Sequence, residues 1–337
     1  MLKRIFLMVL MAAVFILSGC AIQSEAAQNV NGDLKISMLN IGHGDAVLIR
    51  TGKQTILIDS ANVTKHTELV RELEKLSVTK IDKLILTHPH IDHIGGAKML
   101  MNPSKKDLNA YPYLEKISVA KVYDNGVAHV SKTYKGYMET ARDKKIPRQA
   151  LKAGDTLDLG NGVKFKVISP TAEFVDFINV GDYDKKDRAN RMNNTSIVGK
   201  LTYKNFSMMF TGDCEKESEA KILANNKEKD LKCDVLKSGH HGINTSSSKK
   251  FVAAINPSCV LVSAGYSEKD GVEVGFPQLK VLQKYLAAGV DAKNIFCTRF
   301  NGTITLTSDG KNFSVKTETK EDWVDKWIAH LKATQKK

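Results

Sequence analysis

The segment 87–96 carries three histidines and one aspartate within six positions: His88, His90, Asp92 and His93. The chain holds nine histidines in 337 residues, so chance explains this clustering poorly. Imidazole nitrogens and carboxylate oxygens are the usual protein ligands of zinc and related divalent metals. In an extended loop His88 and His90 point the same way, because side-chain direction repeats every two residues. The segment therefore predicts two imidazoles for one metal, and Asp92 with His93 for a second.

Apolar runs precede this segment and three other polar positions of the chain. Such runs predict buried strands that deliver their polar ends to loops at a sheet edge. The predicted strands 55–58, 83–86, 206–210 and 233–237 are followed by Asp59, the histidine segment, Asp213 and His240, respectively. Strand-to-loop junctions on one edge of an α/β layer are where binding sites form. We therefore expect these groups to meet, with Asp59 accepting a hydrogen bond that orients a metal-bound histidine.

The remaining pattern predicts an alternation of helices, strands and loops. Helices are expected at 67–76, 134–142, 215–224, 249–254 and 278–288, and hairpins at 154–168 and 302–317. The polar segment 171–192 shows no periodicity and predicts a mobile loop over the site. The tail 319–337 has Trp323, Trp327 and Leu331 at helical spacing; packing on the domain is favoured over an anionic membrane surface.

The N-terminus has the features of a bacterial export signal. Lys3 and Arg4 precede the apolar stretch 5–17, and small residues lead to Cys20. The run Leu-Ser-Gly-Cys at 17–20 is similar to a lipobox, which implies cleavage before Cys20 and a diacylglycerol on its sulfur. A secretory signal without lipid, or a retained anchor helix, is the alternative. The expected location is the outer face of the bacterial cytoplasmic membrane.

Composition places the chain among ordinary globular proteins, with 42% hydrophobic and 26% charged residues. The formal net charge of +13 favours polyanionic partners such as nucleic acid, teichoic acid or an anionic membrane. The net charge does not distinguish among these partners, and a solvated basic surface without a specific partner would also explain the excess of lysine and arginine. The four cysteines after position 20 lack CxxC spacing, which predicts buried side chains rather than disulfides or zinc ligands: Cys214, Cys233, Cys259 and Cys297.

The candidate residues, taken in order, resemble the binuclear centre of the metallo-β-lactamase fold. That pattern is an aspartate at a strand end, the motif HxHxDH, a bridging aspartate and a final histidine. The residues in these places are Asp59, His88, His90, Asp92, His93, Asp213 and His240. The resemblance implies an α/β protein with a four-layer αββα architecture. It divides the chain into a signal peptide 1–19, a lipidated cysteine with linker 20–33, a hydrolase domain 34–318 and a basic helical tail 319–337.

Shorter motifs narrow the resemblance to the hydrolase domain of the ComEC competence family, made free-standing and exported. The matching motifs are NIGHGDA at 40–46, NNTS at 193–196, TGD at 211–213, KSGHHG at 237–242, TSSS at 245–248 and NGTI at 301–304. The membrane-channel part of that family is absent from the sequence. His43 is expected near the site, Asp45 is expected to orient a neighbouring loop, and Ser246 is a supporting or substrate contact.

The resemblance implies a ligand set for two divalent cations, zinc with manganese as the alternative. His88, His90 and Asp213 would hold the first cation; Asp92, His93 and His240 would hold the second and share Asp213. Two cations sharing a carboxylate lie about 3.5–4 Å apart, the spacing at which a bridging water becomes hydroxide near neutral pH. Asp92 would also steer the proton of this nucleophile. His241 would protonate the leaving group or serve as a buried hydrogen-bond donor.

The chain departs from the family patterns in three places. Most of the superfamily has a third histidine for the first metal where this chain has Asn193 and Asn194. Asn194 would offer a weak oxygen ligand, or water would take the place, which makes manganese credible beside zinc. Phe276 stands where a histidine often precedes proline, and Ile243 stands where serine is common.

The predicted function is that of a lipid-anchored phosphodiesterase that processes DNA. Teichoic-acid phosphorylcholine esterases share the same arrangement and are the rival enzyme class. The alternative outside the enzymes is a non-catalytic module that binds nucleic acid or cell-wall polymer. Nothing in the sequence marks a lactam or lactone pocket, and no obligate protein partner is inferred.

Overall fold

The computed structural model describes residues 33–180, 191–265, 268–269, 272–273 and 275–334. The predicted signal peptide and Cys20 lie outside these ranges, as do residues 181–190 of the predicted mobile loop. Within the described ranges, no helix combines the length and apolar character that a membrane crossing requires.

The first large sheet contains eight strands. They are β1 (Leu34–Met38), β2 (Val47–Arg50), β3 (Thr55–Ile58), β5 (Lys83–Leu86), β7 (Val122–Asp124), β8 (Arg148–Ala150), β18 (Ile304–Ser308) and β19 (Phe313–Thr317). Their order is β19-β18-β1-β2-β3-β5-β7-β8. Pairing is antiparallel from β19 to β3 and parallel from β3 to β8. The parallel half therefore brings the carboxyl ends of β3, β5 and β7 to one edge.

The second large sheet repeats this plan with seven strands. They are β9 (Thr156–Asp158), β10 (Lys164–Ser169), β11 (Val198–Tyr203), β12 (Phe206–Phe210), β13 (Val235–Lys237), β14 (Cys259–Val262) and β17 (Ile295–Cys297). Their order is β17-β14-β13-β12-β11-β10-β9, antiparallel from β9 to β12 and parallel from β12 to β17. Two short pairs complete the strands: β4 (Lys80–Ile81) with β6 (Ser118–Val119), and β15 (Glu268–Lys269) with β16 (Val272–Glu273).

Helices cover the outer face of each sheet. Their bounds are α1 (His66–Lys75), α2 (Ile91–Ile94), α3 (Ala97–Met101), α4 (Lys105–Ala110), α5 (Lys132–Asp143), α6 (Ala172–Val180), α7 (Lys216–Asn225), α8 (Glu228–Leu231), α9 (Lys249–Ile255), α10 (Leu279–Ala287), α11 (Thr298–Asn301) and α12 (Val324–Thr334). One core cluster joins the inner faces of both sheets. A second packs the first sheet against α1, α3 and α5, and a third packs the other sheet against α9, α10 and α12. This is the predicted four-layer αββα fold.

The prediction of a mobile loop over 171–192 is wrong for residues 172–180, because they form α6. Phe174, Val175 and Ile178 pack with Val127 and Met192. These apolar residues are spaced as on one helix face, but Phe177 and Val180 are also apolar although they are exposed, which blurs the pattern in the sequence.

The C-terminal helix packs on the domain, the outcome favoured by its sequence. Trp323, Trp327 and Leu331 are buried in the core beside α10. The two indole N–H groups donate hydrogen bonds to the carbonyls of Ile295 and Pro277, at 3.1 and 2.9 Å. The prediction for the cysteines is also confirmed, because all four are buried and free.

Candidate metal centre

Four strand ends gather the predicted polar residues at one edge of the stacked sheets. Asp59 follows β3, the histidine segment follows β5, Asp213 follows β12, and His240 with His241 follows β13. Residues more than a hundred positions apart thus approach closely; Nε2 of His93 lies 3.1 Å from Oδ2 of Asp213.

Four residues form the compact inner group: Asp92, His93, Asp213 and His241. One ligand atom from each lies within 4.8 Å of those of the other three. Nε2 of His241 lies 3.5 Å from Oδ2 of Asp213 and 3.3 Å from Oδ2 of Asp92. Two imidazoles and two carboxylates at these separations match the donor set that binds a divalent cation.

Orphaned polar atoms test whether the inner group suits a cation. Nε2 of His93, Nε2 of His241 and Oδ1 of Asp213 are buried and make no hydrogen bond to any described residue. Leaving such atoms without a partner costs free energy, so buried polar atoms normally have one. A cation between them would satisfy all three at once. The residues of the inner group therefore fit a divalent metal.

Electrostatics in the inner group also favour added positive charge. Burial disfavours a charged His241, but Asp213 and Asp45 outweigh burial and raise the pKa of His241 to about 10. Burial likewise opposes charge on His93, yet Asp213 and Asp59 raise its pKa well above the ordinary value. Burial opposes ionisation of Asp213, but His241 and His93 hold its pKa well below the usual range. Protons and a metal cation would thus compete for the same imidazoles.

Asp59 orients His93, in the place predicted for it. Its Oδ2 lies 2.8 Å from Nδ1 of His93, and its two oxygens accept hydrogen bonds from the amide and hydroxyl of Thr87 at 2.7 and 2.8 Å. A carboxylate accepts the hydrogen on Nδ1, so Nε2 is the ring nitrogen that faces Asp213 and that would bind a cation once it is deprotonated.

Lys237 is a buried residue of the centre to which the sequence analysis gave no role beyond its place in the motif KSGHHG. Its ammonium lies 2.5 Å from Oδ2 of Asp45 and donates hydrogen bonds to the carbonyls of Gly212 and Ser238, at 3.1 and 3.2 Å. Although burial opposes its charge, Asp45 and Asp213 raise the pKa of Lys237, which keeps it protonated. A lysine at the end of an apolar strand was the available signal, because lysine is rarely buried unless it is paired.

Three further histidines form the outer group: His88, His90 and His240. Nε2 of His88 lies 3.9 Å and Nε2 of His240 lies 3.8 Å from Oδ2 of Asp213. Nδ1 of His90 lies 3.0 Å from Nε2 of His88. Burial lowers the pKa of His88 and of His90, so both rings are neutral and have a lone pair available.

His240 lies in the opposite group from the one expected from the sequence, and His241 takes its place. The prediction put His240 with Asp92 and His93, whereas His241 occupies that inner position and His240 faces Asp213 from the outer side. Both residues have left-handed backbone, with φ of 47° and 52°. Two such residues in succession are uncommon outside glycine, and they set the side-chain directions in a way that spacing alone does not reveal.

The glycine loop 42–45 lies against the inner group as predicted. Nε2 of His43 is 3.6 Å from Oδ2 of Asp92, and the amide of Asp45 donates to the carbonyl of Asp92 at 3.1 Å. A Cβ on Gly44 would lie 2.5 Å from that carbonyl oxygen, so the approach requires glycine. Burial, and next the charge of His241, lower the pKa of His43 to about 4, which keeps its ring neutral at pH 7.

Asn194 and Ser246 support the loops around Asp213. The side-chain oxygen of Asn194 accepts hydrogen bonds from the amides of Glu215 and Ser218, at 3.3 and 3.1 Å. That oxygen therefore holds the start of α7, which differs from the weak ligand expected from the sequence. Ser246 donates to the carbonyl of Cys214 at 2.7 Å.

Comparison with known proteins gives a consistent family likeness. A sequence profile described as Metallo-beta-lactamase superfamily matches residues 39–266. The chain is 28% identical over 288 residues to ComE operon protein 3 of Bacillus subtilis (strain 168), covering 80% of this chain and 32% of that protein. It is 26% identical over 257 residues to Competence protein ComA of Neisseria gonorrhoeae, covering 76% and 30%. The chain thus spans about a third of the length of these relatives. Among solved structures, the metallo-beta-lactamase fold protein YhfI from Bacillus subtilis superposes with a TM-score of 0.48 at 11% identity, covering 81% of this chain and all of that chain.

Proposed function

This chain belongs to the metallo-beta-lactamase superfamily, and from that premise we propose that it is a phosphodiesterase that uses two divalent cations, zinc or manganese. One observation carries the proposal. Oδ2 of Asp213 lies between 3.1 and 3.9 Å from four imidazole Nε2 atoms, those of His88, His93, His240 and His241. A single carboxylate oxygen close to four imidazole nitrogens, each able to bind a cation in its neutral form, suits a ligand shared between two cations.

The two groups divide the proposed ligands. The inner group would hold one cation, the outer group the other, and Asp213 would be common to both. When bound, the cations supply Lewis-acid charge that activates water and neutralises charge on phosphoryl oxygens. Asp92 orients the attacking water in this proposal, because its carboxylate is 17% exposed whereas that of Asp213 is 3% exposed.

The placement of His241 changes the candidate for a substrate contact. Because Nε2 of His241 faces Asp92 and Asp213, we assign it as a ligand instead of a proton donor. His43 is 31% exposed beside Asp92 and is neutral at pH 7. We therefore assign His43 to hydrogen bonding with a substrate oxygen, where it orients the scissile group.

We propose DNA as the substrate. The formal charge of +13 favours a polyanion, and a relative named Competence protein ComA agrees with the DNA-directed function that the ComEC resemblance implies. The lipobox-like sequence at 17–20 supports a lipid anchor at Cys20 and a location on the outer face of the membrane, where incoming DNA would be met.

A substrate panel with defined metal content tests the proposal. Metal-stripped protein is reloaded with zinc, manganese or magnesium and assayed on bis(p-nitrophenyl) phosphate, DNA, a choline-phosphate ester and a β-lactam. We expect cleavage of the first two, loss of activity with chelator, and recovery when metal is restored.

The other outcomes separate the rivals. Release of phosphocholine without DNA cleavage would assign the enzyme to wall polymers instead. Tight, steeply salt-dependent DNA binding without turnover under any metal would identify a binding module.

A further inference from the structure

Glu215 connects the outer group to the start of α7. It lies two residues after Asp213, and its Oε1 is 3.2 Å from Nδ1 of His240 and accepts a hydrogen bond from Nδ2 of Asn193 at 3.1 Å. The hydroxyl of Thr245 lies 2.8 Å from the same Nδ1. The side chains of Glu215 and His240 are 20% and 18% exposed, so the contact is partly open to solvent.

These partners select one tautomer of His240. A carboxylate only accepts hydrogen bonds, so Glu215 favours the hydrogen on Nδ1. The amide nitrogen of Asn193 only donates, and it lies 3.4 Å from Nε2, so it favours a lone pair there. The hydrogen bond from Asn193 to Glu215 fixes which end of the amide faces the ring. Nε2, which lies 3.8 Å from Oδ2 of Asp213, therefore carries the lone pair, and a cation bound there would replace Asn193 as its partner.

The same arrangement occurs at His93, where Asp59 holds Nδ1 and Nε2 faces Asp213. A carboxylate on the far nitrogen is the usual device that orients a metal-binding imidazole. The backbone of Glu215 is held as well, because its amide donates to the buried side chain of Asn194.

We infer that Glu215 is a positioning residue for His240, and that His240 is the third imidazole of the outer group beside His88 and His90. The asparagine pair 193–194 then supports this histidine through Glu215: Asn193 donates to its carboxylate, and Asn194 accepts from its backbone amide. The inference rests on the proposed function, because it assumes a cation at the outer group.

The first test observes the tautomer in metal-free protein, where neither turnover nor metal affects the result. Long-range ¹H–¹⁵N spectra at pH 8 should show His240 with its hydrogen on Nδ1 in the wild type. Glu215→Ala should give a mixture of tautomers, and Glu215→Gln, which keeps the size of the side chain, should lie between. An unchanged Nδ1–H signal in Glu215→Ala would overturn the inference.

The second test measures stepwise metal binding. Glu215→Ala should weaken the second equivalent of zinc by about 10–100-fold, the usual effect of losing a partner behind a ligand, and leave the first equivalent unchanged. Glu217→Ala is the matched control, because Glu217 lies in the first turn of α7 two residues after Glu215, is 48% exposed and pairs only with Lys221 among the contacts described. Equal losses in both equivalents, or the same loss in the control, would contradict a positioning role.

A double variant separates this inference from the proposed function. If Glu215 acts through His240, then adding Glu215→Ala to His240→Ala should change metal binding by less than about 2-fold. A further large loss would show that Glu215 acts independently. Should no variant or wild type cleave phosphodiesters, the tautomer and metal data would still decide the role of Glu215, while the phosphodiesterase proposal alone would fail.

Discussion

The inner and outer groups use the same kinds of side chain, but the fold holds them differently. In the inner group, His93, His241 and Asp213 are buried, and their ligand atoms converge with that of Asp92. In the outer group only His88 is buried, whereas His90 and His240 are partly exposed. Side chains locked by packing lose little freedom when they bind a ligand. We therefore expect the inner group to bind its cation first and more tightly.

The carboxylates behind the histidines differ in the same way. Asp59, behind His93, is buried and accepts three hydrogen bonds from side chain and backbone. Glu215, behind His240, is partly exposed. We infer that the inner group is held more rigidly than the outer group, and that Asp213 connects the two.

The largest effect is expected from removing the one residue that the inner and outer groups share. Asp213→Ala removes the ligand common to both groups, so binding of both cations and turnover of bis(p-nitrophenyl) phosphate should fall by about 10³-fold or more. Metal content by mass spectrometry and steady-state kinetics measure this. Retained activity would show that the centre is misassigned.

The adjacent histidines give the most direct contrast between the halves. His241→Ala should remove the tight equivalent of metal, whereas His240→Ala should leave it in place and remove the weak one. Each loss should exceed the roughly 10–100-fold typical of residues that only support a ligand. Competition with a chromophoric chelator measures both constants. The reverse pattern would support the assignment expected from the sequence, in which His240 binds the same cation as Asp92 and His93.

A smaller effect is expected at Asp59. Asp59→Asn keeps the shape but removes the charge behind His93, and should weaken the inner cation by about 10–100-fold with little change at the outer group. Calorimetric titration resolves the two steps. Equal weakening of both steps would indicate a general loss of structure.

Proton release should give the smallest but most specific difference. At pH 7.5 metal-free His241 is protonated, since burial is outweighed by Asp213 and Asp45 and its pKa is about 10. Binding at Nε2 requires the neutral ring, so loading the inner group should release this proton, and the release should fade as the pH rises through about 10. Titration in buffers of different ionisation enthalpy counts the protons.

A control variant makes this count specific. His241→Ala should lower the number of protons released, whereas substitution of His66, which contacts the carbonyl of Gly95, should not change it. An unchanged count in His241→Ala would place the released proton elsewhere.

Much of the fold and the gathering of the centre could be predicted from the sequence. The four residues of the HxHxDH motif are close in the chain, and a strand end carries them together. Asp59 and Asp213 also end apolar strands, and parallel strands present such residues at a common edge. The αββα layering followed from the resemblance, because local patterns do not show how two sheets stack.

Other parts of the centre depend on tertiary detail. Which of His240 and His241 joins the inner group depends on two left-handed backbone conformations that residue types do not indicate. Glu215 looks in the sequence like an ordinary charge at a helix start. Lys237 ends a short apolar strand, and its carboxylate partner lies far away in the chain, so only the folded structure shows the pairing.

The buried charge of Lys237 bears on whether the protein needs a metal in order to fold. Its ammonium connects the glycine loop to the segments that carry Asp213 and His240. The polypeptide thus provides a permanent cation of its own beneath the centre. We therefore expect the chain to fold without metal and the folded protein to bind divalent cations afterwards.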